Sequence, residues 1–78
     1  MISCFSEVLR ALREQDNLTQ KELAERLGST QRKISFLETG AIEPDIQMLI
    51  KISKYFKVTT DSLLGLDRMG DFYEKELL

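Results

Sequence analysis

Apolar side chains recur along this chain at helical intervals, in five short blocks separated by turn-forming residues. Phe5, Val8, Leu9 and Leu12 stand at i, i+3, i+4 and i+7, which predicts one apolar stripe on a helix running roughly from Phe5 to Gln15 and ended by Asp16-Asn17. Thr19 opens a second helix: its hydroxyl can accept from the backbone N–H three residues on, while Glu22 reaches back to the Thr19 N–H in a capping box. Leu23, Ala24 and Leu27 form its inner face, and Gly28 supplies the left-handed backbone that closes it. Ala24 is small where two helices must cross closely. Thr30 caps a third helix, roughly Gln31 to Thr39, with Ile34 and Leu37 inward and Gly40 as the stop. Glu43-Pro44-Asp45 announces a fourth, capped by Asp45, carrying Ile46, Leu49, Ile50, Ser53 and Phe56 along one side and ending near Lys57. Thr59 or Thr60 opens a short fifth helix with Leu63 and Leu64, and Gly65 ends it. Nowhere does strict alternation persist for a strand's length, so the fold class is all-α.

Beyond Gly65 the pattern supports two readings. Met69, Phe72, Tyr73, Leu77 and Leu78 form an apolar face if a last helix begins after Gly70 or Asp71; otherwise residues 66–78 are a frayed acidic tail. In the helical form that face is costly to leave in water, which makes it a contact for a second copy or a protein partner. The organisation read from the chain is thus one domain over residues 1–65 and a short appendage over 66–78.

Composition narrows the class. Seventy-eight residues, 42% of them hydrophobic, with one Pro and four Gly, describe a single soluble globular domain whose small core makes self-association an expectation. The apolar runs are too short to span a bilayer, and Met1-Ile-Ser-Cys-Phe-Ser has neither the basic region nor the apolar stretch of a secretory signal, so a cytoplasmic location is expected. Cys4 is the one cysteine and the chain has no His, which argues against an internal disulfide and a zinc site; Cys4 reads as a small apolar residue, and no cofactor is expected. No glycine-rich phosphate loop, nucleophile elbow or carboxylate pair in a recognisable pocket points to catalysis. Ser35 and Asp61 read as helix surface and cap. Eleven basic and thirteen acidic residues give a formal charge of −2. The excess lies in the appendage, where Asp67, Asp71, Glu74 and Glu76 outnumber Arg68 and Lys75. A neutral body can be basic on one face, but it does not attract nucleic acid by bulk charge.

The second and third helices with their glycine turn make a helix-turn-helix, a unit that can lay one helix in the major groove of DNA and brace it with the other. Arg13, Leu18-Thr19-Gln20, Glu22-Leu23-Ala24, Leu27-Gly28, Gln31, Ile34-Ser35, Leu37-Glu38, Gly40, Pro44, Leu49, Val58 and Leu63-Leu64 stand in the order in which they occur in the lambda-repressor and Cro type of helix-turn-helix domain, and the resemblance covers about residues 5–64. It implies a five-helix DNA-binding fold, double-stranded DNA as partner, and transcriptional regulation, most often repression, by a homodimer on an inverted-repeat operator. It further implies a DNA-facing set of Thr19, Gln20, Lys21, Thr30, Gln31, Arg32, Lys33, Ser35, Phe36, Gly40 and Ala41. In that set Gln20 meets a phosphate at the start of helix two, and Gln31, Arg32, Ser35 and Phe36 face base edges. The chemistry suits those roles: Gln31 can bond adenine N6 and N7, Arg32 can fork onto guanine O6 and N7, and Phe36 can touch a thymine methyl unless it packs at the helix edge instead. Lys21 and Lys33 suit phosphates. Arg13 and Glu38 are similar to the family's structural ion pair tying helix one to helix three.

Three departures bear on function. The loop after helix three reads Gly40-Ala41-Ile42-Glu43-Pro44 where basic side chains are common, which leaves backbone N–H groups as its donors to phosphate. Ser29 stands where an aliphatic residue is usual, and Lys57 where glycine often ends helix four. The missing cations predict modest DNA affinity with a shallow salt dependence. Together with the neutral body and acidic appendage they define the competing reading, a protein-interaction module of antitoxin-like or partner-regulated kind with weak DNA affinity.

Overall fold

The computed structural model describes residues 3–65 as five helices: α1 over Ser3–Gln15, α2 over Gln20–Leu27, α3 over Gln31–Thr39, α4 over Ile46–Phe56 and α5 over Thr60–Leu64. There is no strand among the described residues, and the architecture is all-α. None of these helices is long and apolar enough to cross a membrane. The appendage beyond Gly65, on which the last-helix and frayed-tail readings fall, lies outside the described residues.

Local capping chemistry sets the boundaries. Thr19 is the N-cap of α2, with the full capping box present: Glu22 N–H donates to Thr19 Oγ1 at 3.0 Å and Thr19 N–H donates to Glu22 Oε1 at 2.8 Å. Thr30, Asp45 and Thr59 cap α3, α4 and α5 in the same way, each accepting from the backbone N–H three residues on. Gly28 closes α2 at φ 67°, and nothing lies within 4 Å of where its Cβ would be, so the left-handed backbone rather than crowding is what calls for glycine there. Lys57 adopts the same conformation at φ 58° after α4, a strained choice for a residue with a Cβ.

Phe5 and Leu9 of α1, Leu23, Ala24 and Leu27 of α2, Ile34 and Leu37 of α3, Met48 and Ile52 of α4 and Leu63 of α5 form one buried cluster. Val8, Leu12, Leu18, Leu49, Tyr55, Phe56 and Val58 pack around it, and a hydrogen bond from Arg26 to the Tyr55 hydroxyl at 2.7 Å ties α2 to α4 at the rim. The stripe expected on α4 is corrected here. Leu49 and Phe56 of that stripe pack on the core, but Ile46 and Ile50 face outward and Met48 and Ile52 take the buried positions, a side rotated by roughly a quarter turn from the expected one. The reason is composition: Ile46, Met48, Leu49, Ile50, Ile52, Tyr55 and Phe56 are apolar among its eleven residues, and that excess offers two faces of similar hydrophobicity.

Candidate nucleic-acid interface

The orientation of α3 follows from what its inner side binds. Ile34 and Leu37 are fully buried, and Glu38, on the same side, is a carboxylate with no solvent exposure of its side chain. A buried charge survives only when it is paired and hydrogen-bonded. Arg13 of α1 provides that pairing in fork geometry, Nε to Oε2 at 2.6 Å and one terminal nitrogen to Oε1 at 3.1 Å, while its other terminal nitrogen donates to the Leu18 carbonyl at 2.8 Å. The bond to Glu38 chiefly, against the cost of burial, pushes the Arg13 guanidinium pKa upward. Stability carried by a raised pKa is lost only above the unfolded value, so on the arginine side this link is insensitive to pH across the working range. The structural role expected for Arg13 and Glu38 is what this geometry provides.

The cluster is larger than a pair. Gln20 Nε2 donates to Glu38 Oε1 at 3.1 Å, and Arg10 Nε lies 3.9 Å from the same oxygen with its side chain half exposed. Two arginines and one glutamine therefore converge on one carboxylate beside the N-terminus of α2. Sequence reasoning missed Arg10, although it lies one helical turn before Arg13 and so on the same side of α1. Gln20, expected to face a phosphate, has one amide N–H engaged inward; its second N–H and the first-turn backbone amides of Gln20 and Lys21, which precede any intrahelical acceptor, are what it can offer outward.

With Ile34, Leu37 and Glu38 inward, helical geometry puts Arg32 and Phe36 on the opposite ridge, one turn apart, with Ser35 beside them. Both are exposed, and the Arg32 guanidinium carbon lies 5.4 Å from the centroid of the Phe36 ring. A cation over an aromatic face is attracted to it, and the contact holds a flexible side chain in an outward pose. Phe36 thus sits on the outward ridge rather than against neighbouring protein. Gln31 is exposed in the first turn, Lys33 and Ser35 are half-buried at the flanks, and Lys21 is exposed on α2. The ion pairs among the described residues involve Arg10, Arg13, Glu14 and Glu38, so Lys21, Arg32 and Lys33 bring unneutralised charge to this side. Thr19 and Thr30 spend their acceptor capacity on caps.

The loop after α3 differs from expectation. Gly40, Ala41 and Ile42 all direct their N–H groups at the Phe36 carbonyl, Ala41 at 2.9 Å and Ile42 at 3.4 Å, and the Thr39 hydroxyl donates to it at 3.2 Å. Three of the amides that the sequence leaves as this loop's donors to phosphate, those of Gly40, Ala41 and Ile42, are therefore turned to closing α3. Gly40 and Ala41 bring an exposed, uncharged backbone to this side and no free donor.

Residues 9–63 match the helix-turn-helix family. The chain is 42% identical over 72 residues to the HTH-type transcriptional activator BcrR of Enterococcus faecalis, an alignment covering 92% of this chain and 35% of that protein. It is 37% identical over 70 residues to the HTH-type transcriptional regulator ImmR of Bacillus subtilis, covering 90% and 55% respectively. The chain thus spans between 35% and 55% of the length of these relatives. Among solved structures, the P22 c2 repressor in complex with a synthetic operator superposes with a TM-score of 0.73 at 30% identity, over 77% of this chain and 91% of that one. Sequence motif, capped helix pair, buried arginine–glutamate link and these likenesses agree: the chain belongs to the helix-turn-helix family of lambda-repressor and Cro type.

Proposed function

We propose that the chain is a sequence-specific double-stranded DNA-binding transcriptional regulator that inserts α3 in the major groove, acts as a repressor, and binds as a homodimer to an inverted-repeat operator in the cytoplasm. One observation carries the reading: Ile34, Leu37 and the fully paired Glu38 lock one side of α3, so the stacked Arg32–Phe36 ridge is the side left to meet a partner. Arg32 forks onto guanine, Phe36 touches a thymine methyl, Gln31 reads adenine and Ser35 lies at the base edges, while Lys21, Lys33 and the outward N–H of Gln20 meet phosphates. Arg10, the half-exposed cation beside Gln20, adds to the phosphate contacts. Thr19 and Thr30 hold the two helix starts against the DNA, and Gly40 and Ala41 let the backbone pass close to it. Repression is the direction we favour because occupancy of an operator suffices for it. The relative named as an activator is longer than the part this chain matches.

Selection of bound duplexes from a randomised pool, followed by fluorescence anisotropy of the selected duplex against salt, tests this. The expected outcome is an inverted repeat with half-site centres about one helical turn, roughly 34 to 36 Å, apart. Because the loop after α3 has no cations and its Gly40, Ala41 and Ile42 amides are engaged, log K is expected to fall with log salt less steeply than for six phosphate contacts at about −0.9 each. Failure of every duplex to form a salt-sensitive complex, alongside a stable protein partner in pull-down, would transfer the assignment to the partner-binding module.

A further inference from the structure

Helix α4 has an outward face that the DNA reading leaves unused. Ile46 is 74% exposed and Ile50 43% exposed, with Ile42 at 36% in the preceding loop. Ile46, Ile50 and Lys54 follow at intervals of four, within an arc of about 80° on the side away from Met48 and Ile52. The two ends of this face carry opposite charge. Glu43 lies at its N-terminal end and Lys54 and Lys57 at its C-terminal end, all three exposed and none in an ion pair among the described residues. Lys51, by contrast, is turned toward the C-terminal carbonyl of α2, with Nζ 3.4 Å from the Leu27 oxygen.

Such a face is complementary to itself in one orientation. Two α4 helices running antiparallel about a two-fold axis set isoleucine against isoleucine and the acidic end of each helix against the basic end of the other; a parallel pairing sets like charges together. Because a two-fold interface uses the same patch twice, each favourable charge contact occurs twice, and the opposed helix dipoles add to them. We infer that a second copy of this chain covers this face, with Ile46 and Ile50 at the centre and Glu43 facing Lys54 and Lys57 across the axis. This rests on the paired-copy part of the reading above and is independent of which residues touch bases. One helix face is small beside the roughly 800 Å² per partner of a standard interface, so the pair is weak in free protein and tightens on a duplex with two half-sites.

Single-thiol cross-linking tests the geometry. In a Cys4→Ser background, Ile50→Cys is expected to give a covalent dimer under mild oxidation, faster on a two-half-site duplex, while Glu25→Cys on the exposed side of α2 gives none. Sedimentation should show Ile50→Glu raising the dimer dissociation constant by about tenfold or more, since an unpaired charge is then desolvated at the centre. Lys57→Glu should weaken the pair, and adding Glu43→Lys to it should restore it. Ile50→Glu is solvent-facing and leaves the fold intact, which circular dichroism verifies, and its binding to a duplex with one half-site should match the parent's. That measurement separates a failure of pairing from a failure of DNA contact. The inference is overturned if Ile50→Cys gives no more cross-link than Glu25→Cys, if Ile50→Glu pairs as the parent does, or if pairing is lost on removal of residues 66–78 and untouched by Ile50→Glu.

Discussion

Helices α3 and α4 each direct apolar side chains at solvent, but in different settings. On α3 the exposed ring of Phe36 lies under the Arg32 guanidinium, and the inner side is fixed by two buried aliphatics and a carboxylate with three hydrogen bonds. On α4 the exposed residues are bare isoleucines, and the inner side is held by the packing of Met48 and Ile52, with hydrogen bonds to α2 at the rim, between Arg26 and Tyr55 and between Lys51 and the Leu27 carbonyl, but no buried ion pair. The difference shows how orientation is specified. A buried ion pair tolerates one angular setting of its helix, because any rotation strands a charge, whereas a helix apolar on two sides can be rotated at small cost in buried area. Helix α3 therefore holds its outward side chains at one fixed angle, as the proposed reading of bases requires, while α4 presents a surface.

That contrast can be broken from its strongest point downward. Arg13→Ala or Glu38→Ala, by removing the main partner of a buried charge, should destabilise the domain by about 3 to 5 kcal/mol, measured by urea or thermal unfolding. A loss under 1 kcal/mol would show that α3 is oriented by its aliphatics alone. On α4, Ile52→Ala should cost about 2 to 5 kcal/mol, while Ile46→Ala stays within about 0.5 kcal/mol. Equal effects at the two sites would mean that the buried side of α4 is assigned wrongly. Removing the cap of α3 with Thr30→Ala should cost about 1 kcal/mol in the same assay. The smallest effect is expected at Lys21→Ala, which should weaken all duplexes alike and reduce the magnitude of the salt slope by about 0.9 if it meets one phosphate.

What the sequence disclosed divides along the same line. The caps at Thr19, Thr30, Asp45 and the glycine turns are local chemistry, written within four residues, and each is where the spacing puts it. Helix α3 has Ile34, Phe36 and Leu37 as its apolar residues, so its register had one solution. Helix α4 has seven, and counting intervals from Ile46 joins Ile46 and Ile50, which solvent sees, to Leu49 and Phe56, which pack on the core. The reach of Gln20 toward Glu38 is non-local, spanning 18 residues, and no spacing rule exposes it, whereas the i, i+3 spacing of Arg10 and Arg13 does put Arg10 on the side that meets Glu38. The loop after α3 was misread for a different reason: exposed amides look available in a sequence, and the carbonyl of Phe36 that collects them is visible only once the helix end is built.

The account turns on the outward ridge of α3, and the most direct test is the sequence preference of Arg32→Ala. Anisotropy should be read on the selected duplex and on one in which the guanine assigned to Arg32 is replaced. The parent domain should discriminate between them by about 1 to 3 kcal/mol, and Arg32→Ala should lose that discrimination while folding normally. Unchanged discrimination in Arg32→Ala would contradict the assignment of this ridge as the base-reading surface.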